Sequence, residues 1–516
     1  MADKHDLTKP YECSGEWFLP SNPDVKKAGK LNYESRSILL ELIDGFTPMR
    51  GTIRAINPLT EYPIIHGVSH LGEAITLFNS MQVNAGLRFN SGGLRSPETI
   101  IARTMIIGAH FTEMPLTDNL SFRIPGLEIW QAKRNFTESH EKDAETGKFT
   151  SKYTAHRNAP EKYAVDCIGS EIEFHHWYYS TCNPITGIDA SISAWVTFRP
   201  SEPKPISWYV EHIGSLQILL SLLCGTSMSM NCAEISLRPG ISAHVYYPQI
   251  DHKVCGLKHP REFFLGYSNI GMDFGNLLNN WFALYPKIDT AVQLATSAMN
   301  SSDLWTHVRF LTYMQALEGI HRGLFNGLYT TPEAYGQIEN TLKSAIPNDI
   351  EADHRSSLKS RIKYGNEVSL RKRLYALSTQ VSPLIRRATL GTETGVRSKW
   401  VETRNYFSHG ATALENEILE GQELFDTNVR LDAFIRLLVF KLLEIPDGST
   451  ESVLSGNSAL ARHIIQIALR EREKTDPNFK VEELPIIAEI KPDPDSLESG
   501  TIGEKDRNEE PMPEAP

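Results

Sequence analysis

The residues best suited to chemistry stand close together in Thr403-Arg404-Asn405-Tyr406-Phe407-Ser408-His409-Gly410, where an arginine followed by an asparagine precedes a histidine by five positions. This set suits the cleavage of RNA. RNA carries its own nucleophile, the 2′-OH, so a catalyst has only to move a proton and steady a phosphate. A histidine titrating near neutrality can take or give that proton. An arginine can clamp the phosphate and stabilise the charge that builds during transfer. Asn405 would orient the histidine or hold a phosphate oxygen. No metal and no other cofactor is expected in such a step, and its products would be a 2′,3′-cyclic phosphate and a 5′-OH.

Spacing alone does not single out this segment. Arg103…His110, Arg134…His140 and Arg238…His244 also fit the general pattern of an arginine and a histidine separated by four to six residues. Context separates them: the first lies in an apolar strand-like run, the second in a polar loop, and the third spans Pro239-Gly240. Only Arg404…His409 ends a helical pattern at the edge of a basic stretch. Within that helix Asn405 and His409 are i, i+4 and share a face, whereas Arg404 and His409 point roughly 140° apart. A long arginine side chain near the helix end can bridge some of that gap and a second copy of the motif across a two-fold interface can do more, so a composite site in a homodimer fits better than a monomeric one. The plainer reading is a helix C-terminus, where His409 meets the dipole and Gly410 ends the helix.

The elements that must position these residues are helical. Leu277–Ala298 is amphipathic, Asp303 is placed to cap a helix running to Phe325, and Thr331-Pro332-Glu333 reads as a helix start. Helical patterns follow over Ile350–Tyr364, Ser369–Leu377, Glu393–Ser408, Asp426–Leu443 and Ala459–Arg470, the fourth stopped by Pro446. The N-terminal part is different. Short runs with apolar alternation, among them Glu16–Leu19, Ser37–Ile43, Tyr62–Val68, Ala74–Phe78, Ile100–Ile107, Leu120–Ile124, Glu171–Tyr179 and Ala190–Phe198, read as strands. The expected fold class is therefore α+β and multidomain: a β-rich N-terminal half, an antiparallel sandwich or barrel-like body, followed by an all-α bundle. The expected divisions are a β-rich domain over 1–200, a mixed α/β connecting region over 201–299, an all-α domain over 300–475 and an acidic, largely disordered tail over 476–516. In the connecting region Tyr209–Leu223 reads as a helix, with Asn231-Cys232 in a turn before a strand at Ile235–Leu237.

Composition bounds the function. The 516 residues are 41% hydrophobic and 22% charged, an ordinary globular balance. No apolar run is long enough for a membrane span, and Met1–Asp6 lacks the apolar segment of a secretory signal, so a cytoplasmic protein without a membrane partner is expected. The six cysteines show no Cys-x-x-Cys pair and read as reduced thiols. A net charge of −11 argues at first against a nucleic-acid partner, but Asp476–Pro516 alone holds 12 acids and 4 bases. Glu351–His409, by contrast, holds 12 Lys/Arg against 5 acids. Local sign governs the attraction of a polyanion, and Arg371, Lys372, Arg373 and Lys399 are the candidate RNA contacts. Other constellations are weaker: His175 and His176 are adjacent in a strand and point to opposite faces, and Cys255 with His259 offers only two ligands.

An arginine and a polar residue followed at this interval by a histidine is the signature of HEPN ribonucleases. Arg404-Asn405-Tyr406-Phe407-Ser408-His409-Gly410 resembles the Arg-Asn-Tyr-x-x-His-Gly core of the ApeA-type HEPN domain. Phe310-Leu311 and Met314–Arg322 look like that family's first helix, and Leu370–Leu374 like its basic helix. Gly15–Pro20, Gly29–Leu31 and Ile64–Gly67 are similar to the opening of its N-terminal domain. The resemblance implies an anti-phage, abortive-infection endoribonuclease that cuts RNA, with tRNA as one candidate, as a homodimer through its HEPN domain. An N-terminal region would sense a phage-derived trigger. Arg404 and His409 would be catalytic, with Asn405 alongside and Glu318 supporting by facing the motif. The alternative is a HEPN-like module that binds nucleotides or partner proteins without catalysis.

Overall fold

Alternating apolar residues put one face of the first strands indoors, and those strands close on themselves. The computed structural model describes residues 5–46, 60–86, 88–90, 93–142, 147–249, 255–392, 396–410 and 418–475. The expected tail over 476–516 and Glu393 therefore lie outside the described residues. Strands β1 (Tyr11–Leu19), β2 (Asn22–Glu34), β3 (Ser37–Leu42), β4 (Glu61–Ser69) and β5 (Ala74–Ala85) are followed by a small hairpin, β6 (Arg88–Asn90) and β7 (Gly93–Arg95), and by β8 (Glu98–Ala102). Pairing in the order β1-β2-β3-β8-β5-β4 and back to β1 makes a closed six-stranded antiparallel barrel. Closure removes the free edges that an open sheet would expose. Trp17, Leu31, Leu40, Ile65, Leu77 and Ile100 fill it, each 0% exposed. Gly67 is required there, because a Cβ would fall 2.3 Å from the Trp17 ring.

The barrel opens into a sheet because β5 is long. Its first half pairs with β9 (Thr104–Ile107), and its second half with β8. The remaining strands are β10 (Leu116–Thr117), β11 (Leu120–Arg123), β12 (Phe136–Lys142), β13 (Phe149–Ala155), β14 (Glu161–Val165), β15 (Ser170–Asn183), β16 (Gly187–Pro200), β17 (Lys204–Pro205), β18 (Cys232–Arg238) and β19 (Ile241–Tyr246). Beyond β9 the sheet continues β19-β18-β11-β16-β15-β14. Two expectations change here. The strands of the region expected to connect two domains lie in the middle of the N-terminal sheet. Cys232, expected in a turn, is the first residue of β18 and pairs with Arg123, because β11 offers a free edge on that side.

The helices, in chain order, are α1 (Leu127–Gln131), α2 (Ile206–Cys224), α3 (Phe274–Asn300), α4 (Thr306–Leu324), α5 (Pro332–Ser344), α6 (Ala352–Lys363), α7 (Leu370–Ser378), α8 (Pro383–Leu390), α9 (Ser398–His409), α10 (Gly421–Leu442), α11 (Asp447–Ser452) and α12 (Ala459–Thr475). Thr331 and Ser369 cap α5 and α7 through their hydroxyls, as their types favour. Asp303 does not cap α4; Trp305 holds that position without a side-chain bond. The short α8, started by Ser382-Pro383, carries no expectation from periodicity. Helix α10 is the centre of the bundle, with Phe434, Leu437, Leu438 and Phe440 fully buried. Its Arg436 donates to the carbonyls of Ser221 and Leu222 at 2.6 and 2.9 Å, binding the C-terminal end of α2 to the bundle where a cation is electrostatically favoured. One continuous apolar core joins the two halves. Among the described residues no helix is long and apolar enough to cross a membrane.

Candidate active site

The site forms where α9 lies against α4. Helix α4 buries Phe310, Tyr313, Met314, Leu317 and Ile320. That leaves Leu311, Gln315, Glu318 and Arg322, a stripe at helical spacing, along the wall of a cleft of about 540 Å³. The opposite wall is Arg404 and Ser408 of α9. Helix α9 is fixed by Trp400 and Thr403, 2% and 0% exposed, and the Thr403 hydroxyl accepts a hydrogen bond from the Leu419 amide at 2.8 Å. Helix α4 can sit deep against α3 because Gly323 has no side chain: a Cβ there would lie 2.0 Å from the Lys287 carbonyl oxygen.

Electrostatics hold Arg404 in place. Glu318 divides its carboxylate, with Oε1 accepting from Arg322 at 3.0 Å and Oε2 lying 3.5 Å from Arg404 Nη2. The i, i+4 pair Glu318–Arg322 and the tertiary contact to Arg404 thus coexist. Arg404 Nη1 also donates to Asn405 Oδ1 at 3.4 Å. The ionic chain continues inward: Arg322 donates to Glu367 at 2.7 Å, and Glu367 accepts from Arg373 at 3.1 Å. Arg373 Nη1 then donates to His321 Nδ1 at 3.2 Å, so that nitrogen carries a lone pair. Burial, with the nearby Arg373 and Arg322, holds His321 below the ordinary histidine value.

His409 is the last residue of α9 and is exposed, with Gly410 in the left-handed conformation ending the helix. Among the described residues its side chain makes no hydrogen bond or ion pair, and it does not line the cleft beside Arg404. One chain therefore brings Arg404, Asn405 and Glu318 together, while His409 is not among the residues that line the cleft.

The basic candidates divide. Arg371 and Lys372 are exposed, and the Lys372 ammonium sits 4.4 Å from the Tyr329 ring centroid. Lys399 is half-buried and paired with Glu423 at 2.6 Å. Arg373 departs from the expectation of a surface cation: it is 2% exposed, and its guanidinium is used internally on Val368 O, His321 and Glu367. Its position on the buried face of α7 leaves it no path to a phosphate. Gln315 and Glu367 were not singled out by sequence, although the interval from Leu311 through Gln315 to Glu318 carried the signal for the first. In the other half, Trp177 and Tyr179 are exposed on one face of β15, while the Tyr178 hydroxyl on the other face donates to Asn135 at 3.0 Å.

Comparison with known families gives two matches in chain order. The model described as ApeA N-terminal domain 1 matches residues 12–281, and the model described as Apea-like HEPN matches residues 311–449. The first takes in the barrel, the whole sheet, α2 and the start of α3. The second takes in both walls of the cleft. No curated protein and no solved structure matches the chain.

Proposed function

The chain belongs to the ApeA family, an ApeA N-terminal domain joined to a HEPN domain of the nuclease type found in anti-phage proteins, and from that membership we propose that it is a metal-independent endoribonuclease of anti-phage defence. In this reading Arg404 receives the scissile phosphate, and His409 moves the proton of the 2′-OH or of the leaving oxygen. Asn405 steadies both, while Glu318 is a positioning residue that holds Arg404 in an extended pose across the cleft. Arg371, Lys372 and Lys399 attract the RNA backbone, and the N-terminal half answers to the phage-derived trigger. The observation that carries the reading is Arg404, set in the wall of an open cleft and held by Glu318 inside the HEPN-matched region.

Because His409 stands apart from Arg404 in one chain, the complete site is assigned to a homodimer in which the partner's motif completes the cleft. The same separation favours the second reading, a HEPN-like module that binds a nucleotide or a partner protein without cutting. Purified protein and its His409→Ala variant, incubated with bacterial RNA in EDTA with and without phage lysate, distinguish the two. Cyclic-phosphate ends from wild type alone support the nuclease. A folded His409→Ala protein that cuts as fast as wild type, or cleavage that needs Mg²⁺, removes it.

A further inference from the structure

Outside the cleft, one group of side chains combines three metal-binding atom types on one face of the sheet. Cys232 and Glu234 are two apart on β18 and so share a face. Glu234 pairs directly with His244 on β19. One ligand atom from each of the three lies within 4.8 Å of the other two. Glu234 Oε1 is 3.5 Å from His244 Nδ1 and 3.6 Å from Cys232 Sγ. Zinc bonds of about 2.0–2.3 Å at tetrahedral angles place neighbouring ligand atoms roughly 3.3–3.5 Å apart, so these separations match edges of such a tetrahedron to within a few tenths of an ångström.

We propose that Cys232, Glu234 and His244 form a site for a divalent metal of the zinc class, with its fourth position taken by water. The donor set argues for this class: a thiolate and an imidazole are poor ligands for magnesium or calcium and good ones for zinc or cobalt. Charge also balances, since a thiolate and a carboxylate neutralise a dication, and the thiol proton leaves to solvent as the metal enters. Cys232 is only 3% exposed, but the His244 and Glu234 side chains retain about a quarter of their surface, 27% and 28%, which gives the ion a way in. The His5 ring stacks on His244 at 3.9 Å between centroids, and its Nδ1 is 3.0 Å from the Tyr246 hydroxyl. Those contacts hold the His244 imidazole in its orientation. A bound ion would staple β18 to β19 in the strip of sheet through which the barrel connects to β11 and the strands beyond.

The test uses the full chain, stripped with a chelator and titrated with Co²⁺. About one equivalent should bind, with a sulfur-to-cobalt charge-transfer band and the intense visible bands of tetrahedral cobalt. Cys232→Ser should lose the charge-transfer band, and Glu234→Gln and His244→Ala should each weaken binding at least about tenfold. Cys182→Ser, at the far end of β15, should change nothing. Zinc should raise the melting temperature of wild type and not that of Glu234→Gln, a variant whose melting curve also reports its own folding. A wild-type protein without the charge-transfer band, or a band that survives Cys232→Ser, overturns the site.

Discussion

Arg371 and Arg373 are two residues apart in the sequence, and their replacement should have opposite consequences. Arg373→Met removes a guanidinium that donates to Val368 O at 3.1 Å, to His321 Nδ1 at 3.2 Å and to Glu367 at 3.1 Å. Hydrogen bonds from a charged donor contribute about 1.5–3 kcal/mol each. The Glu367 term must be discounted, because that side chain is 33% exposed and water can replace the lost partner. The Val368 carbonyl and His321 remain buried and lose theirs. A net loss of about 3 kcal/mol follows, or roughly 6–12 °C in the melting of a helical region of this size. Arg371→Gln, at an exposed position, should stay within about 0.5 kcal/mol of wild type while weakening RNA binding and flattening its salt dependence. Calorimetry and RNA binding at several salt concentrations, run on both variants, check the pair. An Arg373→Met protein that melts with wild type yet loses RNA affinity as Arg371→Gln does would refute the internal role of Arg373.

Other consequences can be checked separately. Glu318→Gln keeps the side chain's size but removes the charge that holds Arg404; kcat for RNA cleavage should fall about tenfold with stability changed by no more than about 1 kcal/mol. An unchanged kcat would dismiss the positioning role. Gly323→Ala puts a methyl group against the Lys287 carbonyl and should cost about 1–3 kcal/mol in urea unfolding, because α3 and α4 must part. Because the folded protein holds His321 below the ordinary value, the unfolded chain takes up that proton first. The contribution is thus complete above pH ~6.5 and lost as pH falls below it. His321→Gln should therefore flatten the acid side of the stability profile, and an unaltered profile would contradict the assignment.

How much of this was legible in the sequence depended on the range of the interaction. The β-rich and helical halves were, because alternation in runs such as Tyr62–Val68 and the capping types at Thr331 and Ser369 are local signals. The continuation of the barrel into a wider sheet was not, since it depends on β5 being long enough to pair with both β8 and β9, which no pattern within β5 declares. The place of β18 in the sheet was missed because its partner β11 is more than a hundred residues away in the chain. Charge counting placed Arg373 on the surface; only packing shows that it faces inward while Arg371 and Lys372 face out. Glu318 was readable as a partner of Arg322 at i, i+4, but its second contact, to Arg404, belongs to tertiary structure. The Cys232, Glu234 and His244 group was hidden for a similar reason: its members meet only once the hairpin at Pro239-Gly240 folds β19 back on β18.

The most direct test of a two-fold site built from Arg404 and His409 is co-expression of Arg404→Ala and His409→Ala chains carrying different tags, with RNA cleavage measured on the purified heterodimer. If each site takes Arg404 from one chain and His409 from the other, both homodimeric variants should be inactive, and the heterodimer should retain one intact site and about half of wild-type activity. A heterodimer as inactive as its parents, beside an active wild type, would mean that each chain works alone and would contradict the composite site.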